Sequence, residues 1–147
     1  MPISGGSTEA NNGWFGNLTQ IKLIGSDFMV DNDGITEGGP AVNEYGSAGA
    51  IQVGDAGQEL YAYKSIPVGY MATGCRVNCN VSLDVRVYEC GLVGNSGVKK
   101  DDGASATNTD INFTNVNSTT GNYLLIEIMT QATTDKIYGG TISIQRI

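Results

Sequence analysis

The chain has 147 residues, a formal charge of −7, a pI near 4.3, 16% charged residues, 21 glycines and no histidine. That length fits one domain with its own core, and the acidic balance argues against nucleic acid or an anionic membrane surface, which need clustered Lys and Arg. The absence of histidine removes the usual general base and excludes a Ser-His-Asp or Cys-His nucleophile.

Residues 1–17 are dominated by Gly, Ser and Asn, and we expect them to form an extended N-terminal arm. The lone aromatic pair Trp14-Phe15 has no use in a solvated arm, so it is predicted to anchor against the domain or a neighbouring subunit. The N-terminus carries neither a basic nor an apolar segment, which predicts no secretory signal and synthesis in a cytoplasm. No apolar run approaches the ~20 residues of a membrane-spanning helix.

The sequence DNDG at 31–34 is the one motif with metal-ligand character. Asp31 and Asp33 supply hard oxygens, and Gly34 permits a sharp turn. The twelve-residue calcium loop, however, ends in Glu, and Val42 stands at that position. A turn with solvated carboxylates is therefore favoured, with a weak divalent-ion site as the alternative, and no metal or cofactor is predicted.

The central stretch 75–88 alternates apolar and polar residues with period two, which indicates a strand buried on one face. Because it is longer than a usual strand, we expect a bend near 80–82 and two strands, at about 75–80 and 83–90. Cys75 and Cys79 share a face but lie roughly 13 Å apart along it, too far for a disulfide. Free, buried thiols are predicted, Cys90 included.

Six further segments show strand patterns, and no segment shows a helical one. The strand patterns lie at 18–24, 50–53, 60–63, 109–116 and, as a closing hairpin, 123–130 with 137–147. In that hairpin Leu124, Ile126 and Ile128 are predicted to meet Ile142 and Ile144 across the strand pair. Gly139-Gly140 indicates a bulge or a close backbone approach, and 91–108 is predicted to be a loop. Pro67 places 66–70 at a sheet edge or in a crossing between sheets.

Many short strands separated by turn signals predict an all-β fold, namely an antiparallel β-sandwich or jelly roll over residues 18–147. Tyr61 and Tyr63 fall on the face opposite Leu60 and Ala62, and Tyr88 falls on the polar side of its strand. Outward tyrosines can cover a twisted sheet, fill a subunit interface or stack on sugar rings. The candidate interface residues are therefore Trp14, Phe15, Tyr61, Tyr63 and Tyr88.

The segments LYAYKSIPVGYMATGCRV, VRVYECGL and YGGTISIQRI resemble the capsid decoration, or cement, proteins and related accessory proteins of marine and cyanobacterial tailed phages. The resemblance implies a virion component on the capsid surface, without catalytic residues. It further implies contacts with the major capsid protein and with its own copies, as a trimer.

Three functions are therefore compared. The first is a decoration subunit that stabilises a phage shell through protein contacts. The alternative is a carbohydrate-binding module or fibre tip that recognises a host surface, with the tyrosines and Trp14 as stacking platforms and DNDG as a calcium turn. The third is an enzyme built on two carboxylates about 5–10 Å apart, or a non-viral interaction domain; the sequence predicts no enzyme.

Overall fold

A computed structural model describes residues 19–30, 49–54, 56–94, 97–101 and 105–147, together with the backbone of 41–43. The predicted arm, with Trp14 and Phe15, lies outside the described residues. The DNDG turn, with Asp31 and Asp33, lies outside them as well.

Within these ranges the chain forms strands and one short 3-10 helix, Gly25–Asp27. The strands are β1 Gln20–Ile24, β2 Phe28–Val30, β3 Ala41–Asn43, β4 Ala50–Gln52, β5 Glu59–Lys64, β6 Tyr70–Cys79, β7 Asp84–Gly91, β8 Gly97–Lys99, β9 Ser105–Ala106, β10 Ile111–Asn117, β11 Asn122–Met129 and β12 Ile137–Arg146.

The strands form two antiparallel sheets. Sheet A has the order β10-β6-β12-β4-β3, with β1 also pairing with β12, and sheet B has the order β2-β5-β11-β7-β8, with β9 also pairing with β7. From β5 to β7 and again from β10 to β12, successive strands alternate between the sheets. The orders β1-β12-β6-β10 and β5-β11-β7-β8 are those of an eight-stranded jelly roll. The fold class predicted from the sequence, an antiparallel β-sandwich or jelly roll, is confirmed.

The core lies between the sheets and follows the period-two pattern of the strands. Val77 on β6, Val87 on β7 and Ile126 on β11 are fully buried, and their neighbours along each strand point outward. Side chains from both sheets belong to a single apolar cluster. Burial of such residues supplies the main driving force for folding, at about 25 cal/mol per Å² of apolar surface.

The central stretch behaves as predicted, because β6 and β7 are separated by a turn at 80–83. The turn also carries the chain from sheet A to sheet B. The segment 65–69 around Pro67 makes the return crossing between β5 in sheet B and β6 in sheet A, as Pro67 suggested.

The predicted closing hairpin is wrong. β11 pairs with β5 and β7 in sheet B, whereas β12 pairs with β1, β4 and β6 in sheet A. The inward residues of β11 and β12 therefore belong to opposite sides of the core. Alternation identifies the buried face of a strand but not its neighbour, and the connection 130–136 crosses between the sheets.

Of two smaller predictions, the bulge at Gly139 is confirmed and the loop at 91–108 is wrong. The β12–β6 register shifts between Ile137 and Gly139, and Gly139 has φ +127°. The predicted loop 91–108 instead contains the short strands β8 and β9, whose sequences GVK and SA carry no alternation signal.

Candidate binding surfaces

The outward side of sheet B carries four tyrosines. Leu60 and Ala62 on β5 point into the core, so Tyr61 and Tyr63 point outward, as the sequence predicted. The same alternation places Tyr88 of β7 and Tyr123 of β11 on this side. We call Tyr61, Tyr63, Tyr88 and Tyr123 the tyrosine face.

The strand register brings these rings together. Leu125 on β11 pairs with Tyr63 on one side and with Tyr88 on the other, so the three lie abreast across the sheet. The rings of Tyr63 and Tyr123 have centroids 5.9 Å apart and are inclined at 57°. Tyr63 is 48% exposed, so part of this aromatic surface is open to a ligand.

A second row lies two residues further along the same strands and consists of Tyr61, Glu127 and Arg86. The Tyr61 hydroxyl donates to Glu59 Oε2 at 2.6 Å, and Arg86 Nη1 lies 3.7 Å from Glu127 Oε1. Burial raises the pKa of Glu127, the Glu59 carboxylate lies close enough to Glu127 to raise that pKa further, and Arg86 opposes both. This row therefore offers the half-buried Glu59 carboxylate and the partly exposed Arg86 guanidinium beside the rings, while the Glu127 carboxyl is buried.

The second surface, which we call the loop end, lies where three connections meet: 65–69, 92–94 and 118–121. It exposes three aliphatic side chains: Val68 is 87% exposed, Leu92 69% and Val93 91%. A cavity of about 550 Å³ opens there. Tyr63 and Tyr123 line that cavity as well, so the loop end and the tyrosine face are contiguous.

Hydrogen bonds hold the loop end in shape. The Ser118 hydroxyl donates to the Ile66 carbonyl at 2.8 Å, and the Leu92 amide donates to the Gly121 carbonyl at 2.7 Å. The amide of Ile147 at the C-terminus donates to the Gly69 carbonyl at 2.9 Å. The loops are therefore tied to one another as well as to their own strands.

The sequence singled out only part of these surfaces. Tyr123 was not among the predicted interface residues, although it directly precedes Leu124, which was predicted to face inward, and alternation therefore places Tyr123 on the outward side. Tyr70 at the start of β6, by contrast, points inward and is buried. Cys75 and Cys79 are buried free thiols as predicted, whereas Cys90 is only partly buried and accepts a hydrogen bond from the Tyr123 hydroxyl.

Among the described residues, no three Cys, Asp or Glu side chains cluster as a metal site would require. In the same part of the chain, no helix has the length and apolar character needed to cross a membrane.

Comparison with known proteins adds a distant likeness of fold. No family model matches the chain, and no curated protein matches it. Among solved structures, it is similar to the CBM22-1–GH10 modules of the Clostridium thermocellum endo-1,4-beta-D-xylanase 10B complexed with xylohexaose, at 14% identity and a TM-score of 0.46. It is also similar to a Podospora anserina GH26-CBM35 beta-(1,4)-mannanase, at 14% identity and a TM-score of 0.42. Each match covers 88% of this chain and 28% of the other.

Proposed function

We propose that this chain is a structural virion protein, most simply a decoration subunit, that acts through protein contacts made by its loop end. The observation that carries the proposal is the cluster of exposed aliphatic side chains Val68, Leu92 and Val93. The assignment to a virion comes from the resemblance to phage decoration proteins.

Exposed aliphatic groups beside a cavity favour a protein partner. Transfer of a valine or leucine side chain from water into an interface contributes about 1.5–3 kcal/mol, and contiguous apolar patches on soluble proteins commonly mark interaction sites. Such side chains offer a polar ligand few hydrogen bonds. The loop end therefore suits a protein surface with apolar character of its own.

The hydrogen bonds between the loops support the same proposal. Ordering mobile loops upon association costs free energy, and contacts such as Ser118 to Ile66 reduce that cost because the loops are already held. The partners we propose are other copies of the chain, in a homo-oligomer such as a trimer, and the major capsid protein beneath them.

The test compares two valine-to-aspartate variants at opposite ends of the sandwich. Val93→Asp places a charge on the loop end, and Val81→Asp places one in the turn between β6 and β7, where the side chain is also exposed. We expect light scattering to show an oligomer for the unmodified protein and for Val81→Asp, and a shift to monomer for Val93→Asp. We likewise expect the unmodified protein and Val81→Asp to cosediment with capsids that lack this protein, and Val93→Asp to remain in the supernatant.

A strict monomer that also fails to bind shells would contradict the proposal. Equal loss of assembly in the two variants would contradict the assignment of the contact to the loop end.

A further inference from the structure

We propose that the tyrosine face is a second binding site, separate in chemistry from the loop end, and that it binds a soluble chain of neutral sugars. The proposal goes beyond the protein contacts above. It rests on the rings, the carboxyl row and the charge of this side of sheet B.

The rings supply the stacking surface. Tyr63 and Tyr88 lie on either side of Leu125, about 10 Å apart at the ~4.8 Å spacing between strands. The C–H groups of a pyranose ring pack against aromatic faces, and a tyrosine adds a hydroxyl at the rim of that surface. Two rings at this separation suit alternate sugars of one extended chain, because a single pyranose unit spans about half that distance.

The second row supplies the polar recognition. Glu59, which is half-buried, presents carboxyl oxygens that accept hydrogen bonds from sugar hydroxyls, and Arg86 presents several N–H donors, whereas the Glu127 carboxyl beside them is buried. Their own contacts hold them in place: the Tyr61 and Tyr88 hydroxyls donate to Glu59 and to Glu127. Sugar hydroxyls can replace the water on the exposed parts of Glu59 and Arg86, whereas an apolar protein partner would remove that water without replacing its hydrogen bonds.

Charge selects among sugars. Glu59 and Glu127 face one cation, Arg86, in this row, and the chain as a whole carries −7. A uronic-acid or sulfated chain would meet like charge at short range. A neutral chain, including one built of N-acetylhexosamines, meets no such repulsion.

Ring geometry selects the physical form of the ligand. A flat crystalline polysaccharide surface requires coplanar aromatic rings, and the 57° inclination of Tyr63 to Tyr123 does not provide them. A single soluble chain can twist to follow inclined rings. We therefore expect oligosaccharides in solution to bind, and not insoluble fibres.

The experiment applies the full chain to an array of neutral hexose, pentose and N-acetylhexosamine oligosaccharides together with uronic-acid oligosaccharides. Calorimetry then measures the strongest ligand. We expect binding to at least one neutral class and none to the uronates. A blank array, or binding confined to the uronates, would overturn the proposal.

Matched variants locate the site. Tyr63→Ala removes a ring from the tyrosine face, and Tyr138→Ala removes a ring of nearly equal exposure, 45% against 48%, from sheet A. We expect Tyr63→Ala to weaken binding roughly tenfold or more, which corresponds to about 1.4 kcal/mol, and Tyr138→Ala to leave the affinity unchanged. Tyr63→Phe, which keeps the ring, should bind within about threefold of the unmodified protein.

Equal affinity in Tyr63→Ala and Tyr138→Ala would overturn the assignment to this face. The Val93→Asp variant separates the two proposals, because it should lose assembly and keep sugar binding. Loss of sugar binding in that variant would contradict a separate site.

Discussion

The outward sides of the two sheets differ in what they leave open. Sheet B presents the tyrosine face and its carboxyl row. Sheet A presents a shallow polar groove of about 270 Å³, lined by small polar residues and by the ion pair of Arg76 with Asp110 at 3.1 Å. Both sheets cover the same core, so burial does not account for the difference.

Close backbone packing distinguishes sheet A. A Cβ on Gly140 of β12 would collide with the Arg76 carbonyl of β6 and would lie 2.9 Å from Val77 Cα. On sheet B, a Cβ on Gly97 of β8 would meet nothing nearer than Cys90 Sγ at 3.4 Å. The backbones of β12 and β6 inside sheet A therefore approach one another closely at Gly140, whereas β8 at the edge of sheet B leaves room beside Gly97.

The largest expected effect comes from those two glycines. Gly140→Ala should lower the free energy of unfolding by about 3 kcal/mol, because overpacking against backbone atoms cannot be relieved by a rotamer change. Gly97→Ala should be nearly neutral, since its site is on an exposed edge strand. Urea denaturation measures both. Similar losses in the two variants would break the contrast between the sheets.

The sequence predicted which face of each strand is buried, but it did not predict which strands lie side by side. Period two in 75–88 identified the strands and their buried faces, because burial acts on every second residue. The same pattern paired β11 with β12 wrongly, because alternation is identical whichever strand lies alongside. The Gly139-Gly140 signal was sound, since an unsubstituted Cα in a strand is typical of a bulge or a close approach.

The next largest effect separates two glutamates of sheet B. The Glu89 carboxylate accepts hydrogen bonds from Lys100 Nζ and Asn122 Nδ2, both at 2.8 Å, and these lower its pKa, Lys100 first. Its stabilising contribution is therefore present above the usual value of 4.5 and is lost as pH falls through the lowered pKa. Glu127 is the opposite case: burial, then Glu59, raise its pKa, so its contribution is present below 4.5 and is lost as pH rises.

The two glutamine variants should consequently show opposite pH slopes. Glu89→Gln is expected to lose about 1 kcal/mol at pH 7 and progressively less in acid. Glu127→Gln is expected to gain stability over the unmodified protein at pH 7 and to lose that advantage below pH 4.5. Thermal unfolding between pH 3 and pH 7 measures both. Parallel slopes would remove the distinction between a carboxyl group that stabilises the fold when ionised and a buried one that stabilises it when protonated.

The composition of the tyrosine face could be predicted only in part. Tyr61, Tyr63 and Tyr88 follow from alternation within single strands. Their meeting with Tyr123, and the contact of Glu59 with Glu127, depend on how β5, β11 and β7 are aligned. Register between strands distant in sequence is a tertiary property, and a single sequence carries no direct signal of it.

The smallest effect concerns the thiols and does not alter stability. Cys75 and Cys79 of β6 face the core, and burial raises the pKa of Cys75 to about 12, with Asp101 adding to the effect. Cys90 lies beside Tyr123 on sheet B. Partial burial raises the pKa of Cys90, and the Tyr123 hydroxyl, which donates to the sulfur, opposes that rise. Only the thiolate reacts.

Pulsed alkylation followed by mass spectrometry should therefore modify Cys90 first, and faster at pH 9 than at pH 7. A neutral oligosaccharide bound to the tyrosine face should slow that reaction. Modification of Cys75 at the same rate as Cys90 in the folded protein would mean that the sheets separate readily, and the closely packed sheet A inferred from Gly140 would then be wrong.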